Sequence, residues 1–267
     1  MKPEAAEEAV SPPIYIGTAG WTLSGEYAAD FPTEGTHLTR YARLFCGVEI
    51  NSSFYKPHRP ATYARWAASV PEDFRFAVKV PKEITHRLKL VDTTAPLERF
   101  LAEVTALEAK LGPLLIQLPP SLAFDRQVAK AFFASLRARF IGSVVCEPRH
   151  PGWFGSEAEL LLTDFHIARV AADPAPVPEA AHPGGWPGLV YYRLHGSPRI
   201  YYSAYSVSAL ETLASSLHKS SQSAPTWCIF DNTALGAATG DALSTTKRLT
   251  AEDPPGCVKM PTSDREI

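Results

Sequence analysis

The chain has little of several things that would announce a function. Its charge is nearly balanced, with 26 Lys and Arg against 28 Asp and Glu in 267 residues and a formal net charge of -2. So weak a net field gives no reason to expect nucleic acid or an anionic membrane surface as partner. No apolar run of the sequence approaches the roughly 18 residues that a membrane span requires. Met1 to Pro13 is acidic and Pro-rich and has no hydrophobic segment of signal-peptide type. The four cysteines, Cys46, Cys146, Cys228 and Cys257, lack C-x-x-C spacing, which argues against a zinc ribbon or a dithiol redox motif. Cys146 and Cys228 lie inside apolar runs, as buried reduced thiols do, and a cytoplasmic location is expected. Gly17-Thr-Ala-Gly-Trp21 is neither G-x-G-x-x-G nor a P-loop, so the nucleotide fingerprint is missing as well.

What is present is a repeat of strands and helices. Eight runs read as buried strands: Ile14–Trp21, Gly47–Ser53, Arg75–Val80, Gly112–Pro119, Ser143–His150, His166–Asp173, Leu189–Gly196 and Thr226–Thr233. Most are rich in Val, Ile, Leu, Phe and Tyr, as strands covered on both faces must be. Between them lie helical stripes such as Leu97, Leu101, Val104, Leu107 and Leu111, or Val128, Phe132, Leu136 and Phe140 behind the N-cap candidate Asp125. Tyr63, Trp66, Ala67 and Val70 follow Pro60, a good first helical residue. Pro174 to Gly188 carries five prolines and three glycines, so a loop is expected in place of a sixth helix. The pattern predicts an α/β fold, a single (β/α)8 TIM barrel over residues 14–250, with loosely held tails at 1–13 and 251–267.

Strand side chains alternate between faces, so polar residues can be given a direction. If Val48, Ile50, Phe76, Val78, Val144, Cys146, Tyr192 and Leu194 face the helices, then Glu49, Asn51, Lys79, Glu147, Arg149, Arg193 and His195 face inward. Gln117, Asp173 and Asp231 are expected inward at the ends of the fourth, sixth and eighth strands. Nearly every strand thus delivers a polar group at its C-terminal end, the face on which barrel enzymes build their sites. Internal salt bridges are the structural alternative, but buried ion pairs are poor stabilisers and explain a whole ring at one end badly. His86, His150, Trp153, Tyr55 and the run Tyr201-Tyr202-Ser203-Ala204-Tyr205 are rim candidates for stacking or polar contact with a substrate.

Several of these segments carry a family resemblance. Val48-Glu49-Ile50-Asn51-Ser52-Ser53-Phe54-Tyr55, Phe76-Ala77-Val78-Lys79 with Ile84-Thr85-His86, Gly112-Pro-Leu-Leu-Ile-Gln117-Leu-Pro-Pro120, Glu147-Pro148-Arg149-His150 and Arg193-Leu-His195-Gly196 occur in that order. Together they resemble the domain of unknown function 72 family, the YecE-like proteins, from about Ile14 to Leu249. The resemblance implies a TIM barrel and no particular activity. It carries over Glu49, Asn51, Lys79, His86, Gln117, Glu147, Arg149, His150, Arg193 and His195 as site candidates. The chain departs from the family pattern at Pro148, where an aromatic is usual, at Asp231-Asn232, where Asn-Asn is usual, and at Gly240-Asp241-Ala242, where an Asn-Ala pair is usual.

These residues permit three functions. The first is an enzyme, a hydrolase or lyase, using Glu49, Glu147, Lys79 and His195 for acid–base and electrostatic catalysis on a small anionic substrate. Arg149 and Arg193, with Lys79 or His150 nearby, are expected to fork a phosphate or carboxylate, with Asn51, Tyr55, His86, Gln117, Trp153, Asp173 and Asp231 lining the pocket. The second is a divalent-metal phosphoesterase or nuclease-like barrel ligated by some of Glu49, Glu147, Asp173, His195 and Asp231. Cations within the same ring disfavour a metal. The third is a non-catalytic binder of a metabolite or a nucleic-acid end. Schiff-base chemistry at Lys79 needs a depressed amine pKa, and Glu49 and Glu147 are expected to keep the ammonium charged instead.

Overall fold

In a computed structural model, described for residues 11–251 and 256–259, the chain is an α/β protein. The expected tails lie mostly outside the described residues. Residues 256–259 lie against the body of the fold, where Gly256 O accepts from Ile14 N and Lys259 Nζ pairs with Asp73 Oδ1 at 2.7 Å.

Each of the eight runs contains a strand. They are β1 (Ile14–Thr18), β2 (Gly47–Ile50), β3 (Arg75–Lys79), β4 (Leu111–Gln117), β5 (Val144–Glu147), β6 and β7 (Ile167–Arg169, Ala171–Asp173), β9 (Val190–Leu194) and β10 (Thr226–Phe230). The remaining strand, β8 (Gly184–Gly185), is a two-residue antiparallel addition to β6. Among the described residues, seven α-helices alternate with them: α1 (His37–Leu44), α2 (Pro60–Ala68), α3 (Thr94–Val104), α4 (Arg126–Arg137), α5 (Ser156–Asp164), α6 (Val207–Ser221) and α7 (Ala237–Thr250). Asp125 caps α4 by accepting from Gln127 N and Val128 N, and Pro60 opens α2. Between β7 and β9, the Pro/Gly-rich stretch holds a 3-10 turn at Pro178–Ala181 and β8.

The hydrogen-bonded ladders form two sheets, β1-β10-β9-β7 and β2-β3-β4-β5-β6-β8, and not the one continuous ring that the repeat predicts. The seams lie in the sixth run and between β1 and β2. The sixth run changes partner at Val170, whose N–H still bonds Cys146 O while Ala171 already pairs with Tyr192. Between β1 and β2 the pairing is a single parallel bridge, Ala19 with Glu49, plus Gly20 N to Glu49 O at 2.8 Å. Gly17 lets the two strands approach this closely, since a Cβ there would come within 2.0 Å of Gly47 O.

Two apolar clusters flank the strands. The larger lies under the helices and includes Val48, Ile50, Phe76, Val78, Leu114, Ile116, Val144, Cys146 and Leu194. The smaller lies on the other face and holds Ala77, Leu115, Val145, Ala168, Val170, Tyr191, Trp227 and Ile229. Ala77, Leu115, Val145, Tyr191 and Ile229 each precede by two residues Lys79, Gln117, Glu147, Arg193 and Asp231. Period-two alternation therefore sets those polar groups on the same inner face, one step nearer the C-terminal strand ends. Trp227 plugs the opposite end, stacked on Tyr15 at 4.6 Å and on Tyr191 at 5.9 Å between ring centroids. Gly112 leaves room for the plug, because a Cβ there would meet Trp227 at 2.8 Å.

The tightest of these contacts gives a test. Gly17→Ala places a methyl against backbone, which cannot rotate away, and is expected to cost about 1–3 kcal/mol or more. Urea unfolding measures this, and an unchanged midpoint would show that β1 and β2 are not held at this separation.

Candidate functional site

At the C-terminal ends of the strands, the inward residues assemble around one guanidinium. Arg193, from β9, is 0% exposed. Its Nε and Nη2 fork onto Glu49 of β2, donating to Oε2 at 2.9 Å and Oε1 at 2.7 Å. Nη1 donates to Glu147 Oε2 of β5 at 3.0 Å, and Nη2 lies 3.0 Å from Oδ2 of Asp231, which follows β10. Tyr191, two residues before Arg193, donates its hydroxyl to Glu49 Oε2 at 3.0 Å. Three carboxylates from three strands thus share one buried cation. Burial alone would lower the Arg193 pKa, but Glu49, Asp231 and Glu147 outweigh it and hold it well above its ordinary value.

His195 sits above this centre with a carboxylate at each ring nitrogen. Nδ1 is 3.1 Å from Asp231 Oδ2, and Nε2 is 2.9 Å from Glu147 Oε1. Arg149 Nη2 approaches the same place, 2.6 Å from Glu147 Oε1 and 2.7 Å from His195 Nε2. Three proton arrangements fit these contacts: Nε2 donates to Glu147, or accepts from Arg149 while Nδ1 donates to Asp231, or both nitrogens donate to their carboxylates. Burial pushes the Glu147 carboxyl up, but Arg193, Arg149 and His195 overcome this and hold it well below the ordinary range. Asp231 is lowered in the same way, burial being offset by Arg193 and His195. Both carboxylates are therefore held ionised, and they favour positive charge on the imidazole between them.

Lys79 is the outlier. It is 5% exposed, and among the described residues no carboxylate lies within ion-pairing distance of its Nζ. The amine rests 4.3 Å from the centroid of the Phe54 ring. Burial and then Arg193 lower its pKa to about 8, against the opposing pull of Glu49, Asp231 and Glu147. Glu49 and Glu147 pull toward the charged ammonium, as expected, but the net shift is downward because both are turned to Arg193. His86, with Nδ1 2.8 Å from Thr85 Oγ1 and its ring edge against Phe54, is lowered by burial and then by Lys79.

Other expected members are placed differently. Arg193 cannot fork an external anion, since its donors are occupied and it is sealed from solvent. Asp173 pairs with Leu194, on the helix-facing side, while Ala172 takes the inward place opposite Arg193. With Ala171 and Ala172 equally small, no apolar contrast in the sequence sets that phase. Trp153 is buried in the helix-side core, with Nε1 bonded to Leu122 O and its ring against Phe124 and Phe133. His150 uses Nδ1 to cap the following 3-10 turn through Gly152 N at 3.0 Å. Gln117 registers with Glu147 and is half-buried. Tyr55, 76% exposed, lines with Trp21 and Asn51 a cavity of about 350 Å³.

Tyr191 is a contributor not singled out from the sequence, whereas Tyr201 is among the rim candidates. Tyr191 was visible to the same alternation that turned Arg193 inward. Tyr201, from the aromatic run, sets its ring edge-on to His195 at 5.8 Å between centroids, which only the loop's path decides. The departures near the end of the chain join by hydrogen bonds: Asn232 Nδ2 donates to Asp241 Oδ2 at 2.7 Å and to Ser203 O.

Fold and cluster together define an α/β protein whose buried ionisable groups gather at one end of parallel strands. The chain belongs to the DUF72 family, whose model, described as a protein of unknown function, matches residues 15–264. It is similar to the UPF0759 protein YecE of Escherichia coli K12, 32% identical over 177 residues, which are 64% of this chain and 62% of that protein. The match therefore spans less than two thirds of that relative. YunF of Bacillus subtilis, also a UPF0759 protein, is 28% identical over 152 residues, 53% of this chain and 52% of YunF. Among solved structures, a DUF72 family protein of Enterococcus faecalis V583 superposes with a TM-score of 0.76 at 23% identity, covering 89% of this chain and 95% of that one. Another, from Thermotoga maritima MSB8, gives 0.74 at 26% identity, covering 89% and 99%.

Two outcomes test the electrostatics. Arg193→Met leaves three carboxylates facing one another without their shared cation, and a loss of about 3–5 kcal/mol is expected by denaturant titration. A stable variant would mean that the carboxylates are not ionised together. Lys79 acts in the opposite sense. Its folded pKa lies below its unfolded one, so the unfolded chain binds more protons between about pH 8 and pH 10.5, and stability rises with pH through that window. Lys79→Met should remove that rise and stabilise the protein near neutral pH, by on the order of 3 kcal/mol. The groups facing Lys79 are Arg193, Glu49, Asp231, Glu147 and His86, and a rise that persists in Lys79→Met would show that Lys79 is not its source.

Proposed function

We propose that the chain closes as one eight-stranded (β/α)8 barrel with a loop in place of its sixth helix, and that its mouth is an acid–base active site. The ladder order supports closure: the sixth run joins the two sheets on one side, and the Ala19–Glu49 bridge spans the other. The substrate is a small molecule bearing a carboxylate or phosphate, and the reaction is a hydrolysis or an elimination. One observation carries this reading. His195 is held between two ionised carboxylates while touching Arg149, so a proton at Nε2 has an acceptor and a stabilised departure state within hydrogen-bond distance. Glu147 and His195 move the proton, and Asp231 orients the imidazole. Arg149, 17% exposed, and Lys79 are the cations left to hold substrate charge. Glu49, sealed behind Arg193 and Tyr191, is a positioning residue.

The metal reading finds less support. Arg193 occupies the place between Glu49, Glu147 and Asp231 that a divalent ion would need. Among the described residues, no group of three or more His, Cys, Asp or Glu is arranged to hold one. No described helix is long and apolar enough to cross a membrane, and the four cysteines are free, three of them buried, in keeping with a reducing, cytoplasmic setting.

The test is conversion of a metabolite mixture by the purified protein, read by mass spectrometry. At least one carboxylate or phosphate compound should be consumed, and His195→Gln, if it melts like the parent protein, should slow this by about 10²-fold or more. A compound that binds tightly and is recovered unchanged would replace the enzyme with a binding protein. Loss of turnover on chelation would restore the metal reading.

A further inference from the structure

The lone amine of Lys79 is the feature that acid–base chemistry leaves unused. A lysine on the inner face of a strand ordinarily draws a carboxylate partner, and three carboxylates stand in this cluster. All three are spent on Arg193, with Glu147 also taken by Arg149 and His195, and Asp231 by His195. The amine is instead set over an aromatic ring, among groups that cannot take its proton into an ion pair.

We infer that Lys79 is a covalent catalyst, condensing as a Schiff base with a small aldehyde or ketone that also carries carboxylate or hydroxyl groups. The inference rests on the acid–base reading of the same mouth and names its substrate class. Its first support is position. Lys79 ends β3 on the inner face shared by Glu147, Arg193 and Asp231, and the Ser53 hydroxyl pins its backbone oxygen at 2.6 Å. A second support is the nucleophile's state. With its pKa drawn down to about 8 by burial and Arg193, a useful fraction of the amine carries a free lone pair near neutral pH. Unsatisfied polar atoms supply a third. Asn51 Oδ1 and Arg149 Nε are buried without a hydrogen-bond partner among the described residues, one an acceptor and one a donor. A substrate hydroxyl would satisfy the first, and a carboxylate the second. Asn51 also lines a cavity of about 350 Å³ with Trp21 and Tyr55, and stands just before the turn that carries Phe54 beneath the amine. With Lys79 only 5% exposed, access favours small carbonyl compounds.

The step balances without an outside reagent. The Nζ lone pair attacks the carbonyl carbon, and the carbonyl π pair moves to oxygen, which takes a proton from His195. Nζ then releases one proton, which re-protonates His195, the proton that the ammonium first lost to solvent returns to the oxygen, the C–O bond breaks, and water leaves. Overall, an ammonium and a carbonyl give a protonated imine and one water. The ionised carboxylates around Arg193 stabilise the positive imine that forms.

The test uses the intact protein with pyruvate, glyceraldehyde and glyoxylate as probes, sodium cyanoborohydride as hydride donor, and peptide mass mapping. Hydride addition turns the imine into a stable secondary amine on the modified lysine. At least one probe should label Lys79 ten-fold or more faster than the exposed Lys130. Lys79→Arg should lose that adduct with Lys130 labelling unchanged. Labelling of Lys79 no faster than that of Lys130 with all three probes overturns the inference, and so does full turnover of the screened substrate by a folded Lys79→Arg variant. Neither result touches the acid–base reading if His195→Gln still abolishes turnover. Rapid Lys79 trapping with undiminished turnover in His195→Gln would sink that reading and leave the lysine chemistry standing.

Discussion

The ionised ring depends on a single buried guanidinium. Arg193 has no contact with solvent, so its charge is tolerable only because Glu49, Glu147 and Asp231 reach it from three other strands. The dependence is mutual. Each carboxylate is itself desolvated, and without the arginine it would protonate or force the strand ends apart. The fork onto Glu49 fixes the guanidinium plane, and that plane leaves Glu147 Oε1 for His195 while Asp231 Oδ2 serves both Arg193 and His195. Orientation of the imidazole is therefore inherited from an arginine it does not touch.

Sorting of charge follows from the same arrangement. Strong pairing of Arg193 and Arg149 absorbs the anionic capacity of the cluster, and Lys79 is left over a phenyl ring in a poorly solvated place. Desolvation and a neighbouring guanidinium act on it in the same direction. The three carboxylates lie near enough to oppose that shift and too far to cancel it. An apolar residue in place of Lys79 would avoid the cost of burying an unpaired amine. Where resembling proteins usually have Asn-Asn after the last strand, this chain has Asp231-Asn232. The extra carboxylate here gives Arg193 its third partner and His195 its Nδ1 partner.

The floor beneath the cluster matters as much as the cluster. Trp227 stacks between Tyr15 and Tyr191 and fills the inner face up to the layer of Glu49, with Gly112 making room. Tyr191 belongs to both parts, ring in the plug and hydroxyl on Glu49. Packing at the N-terminal end of the strands is thereby coupled to the position of a carboxylate at the other end, with no slack between them.

The sequence by itself determined the strands, the helices and the facing of most polar groups, because those follow from local periodicity and caps. Alternation turned Glu49, Lys79, Glu147, Arg193 and His195 the right way, since Val, Phe, Leu and Cys on the opposite parity left no choice. Asp173 escaped it, because Ala171 and Ala172 offer no contrast between the faces. Only the tertiary structure decided which charges pair. Counting signs cannot tell that Arg193 gathers three carboxylates while Lys79 has none, for pairing depends on ångström-scale distances between strands far apart in the chain. Nor could it show that Trp153 is drawn into the core and His150 into a cap, because a loop side chain after a strand end can turn to either side. Two sheets with seams at Val170 and at Gly17 likewise arise from ladder geometry, which no run of apolar residues encodes.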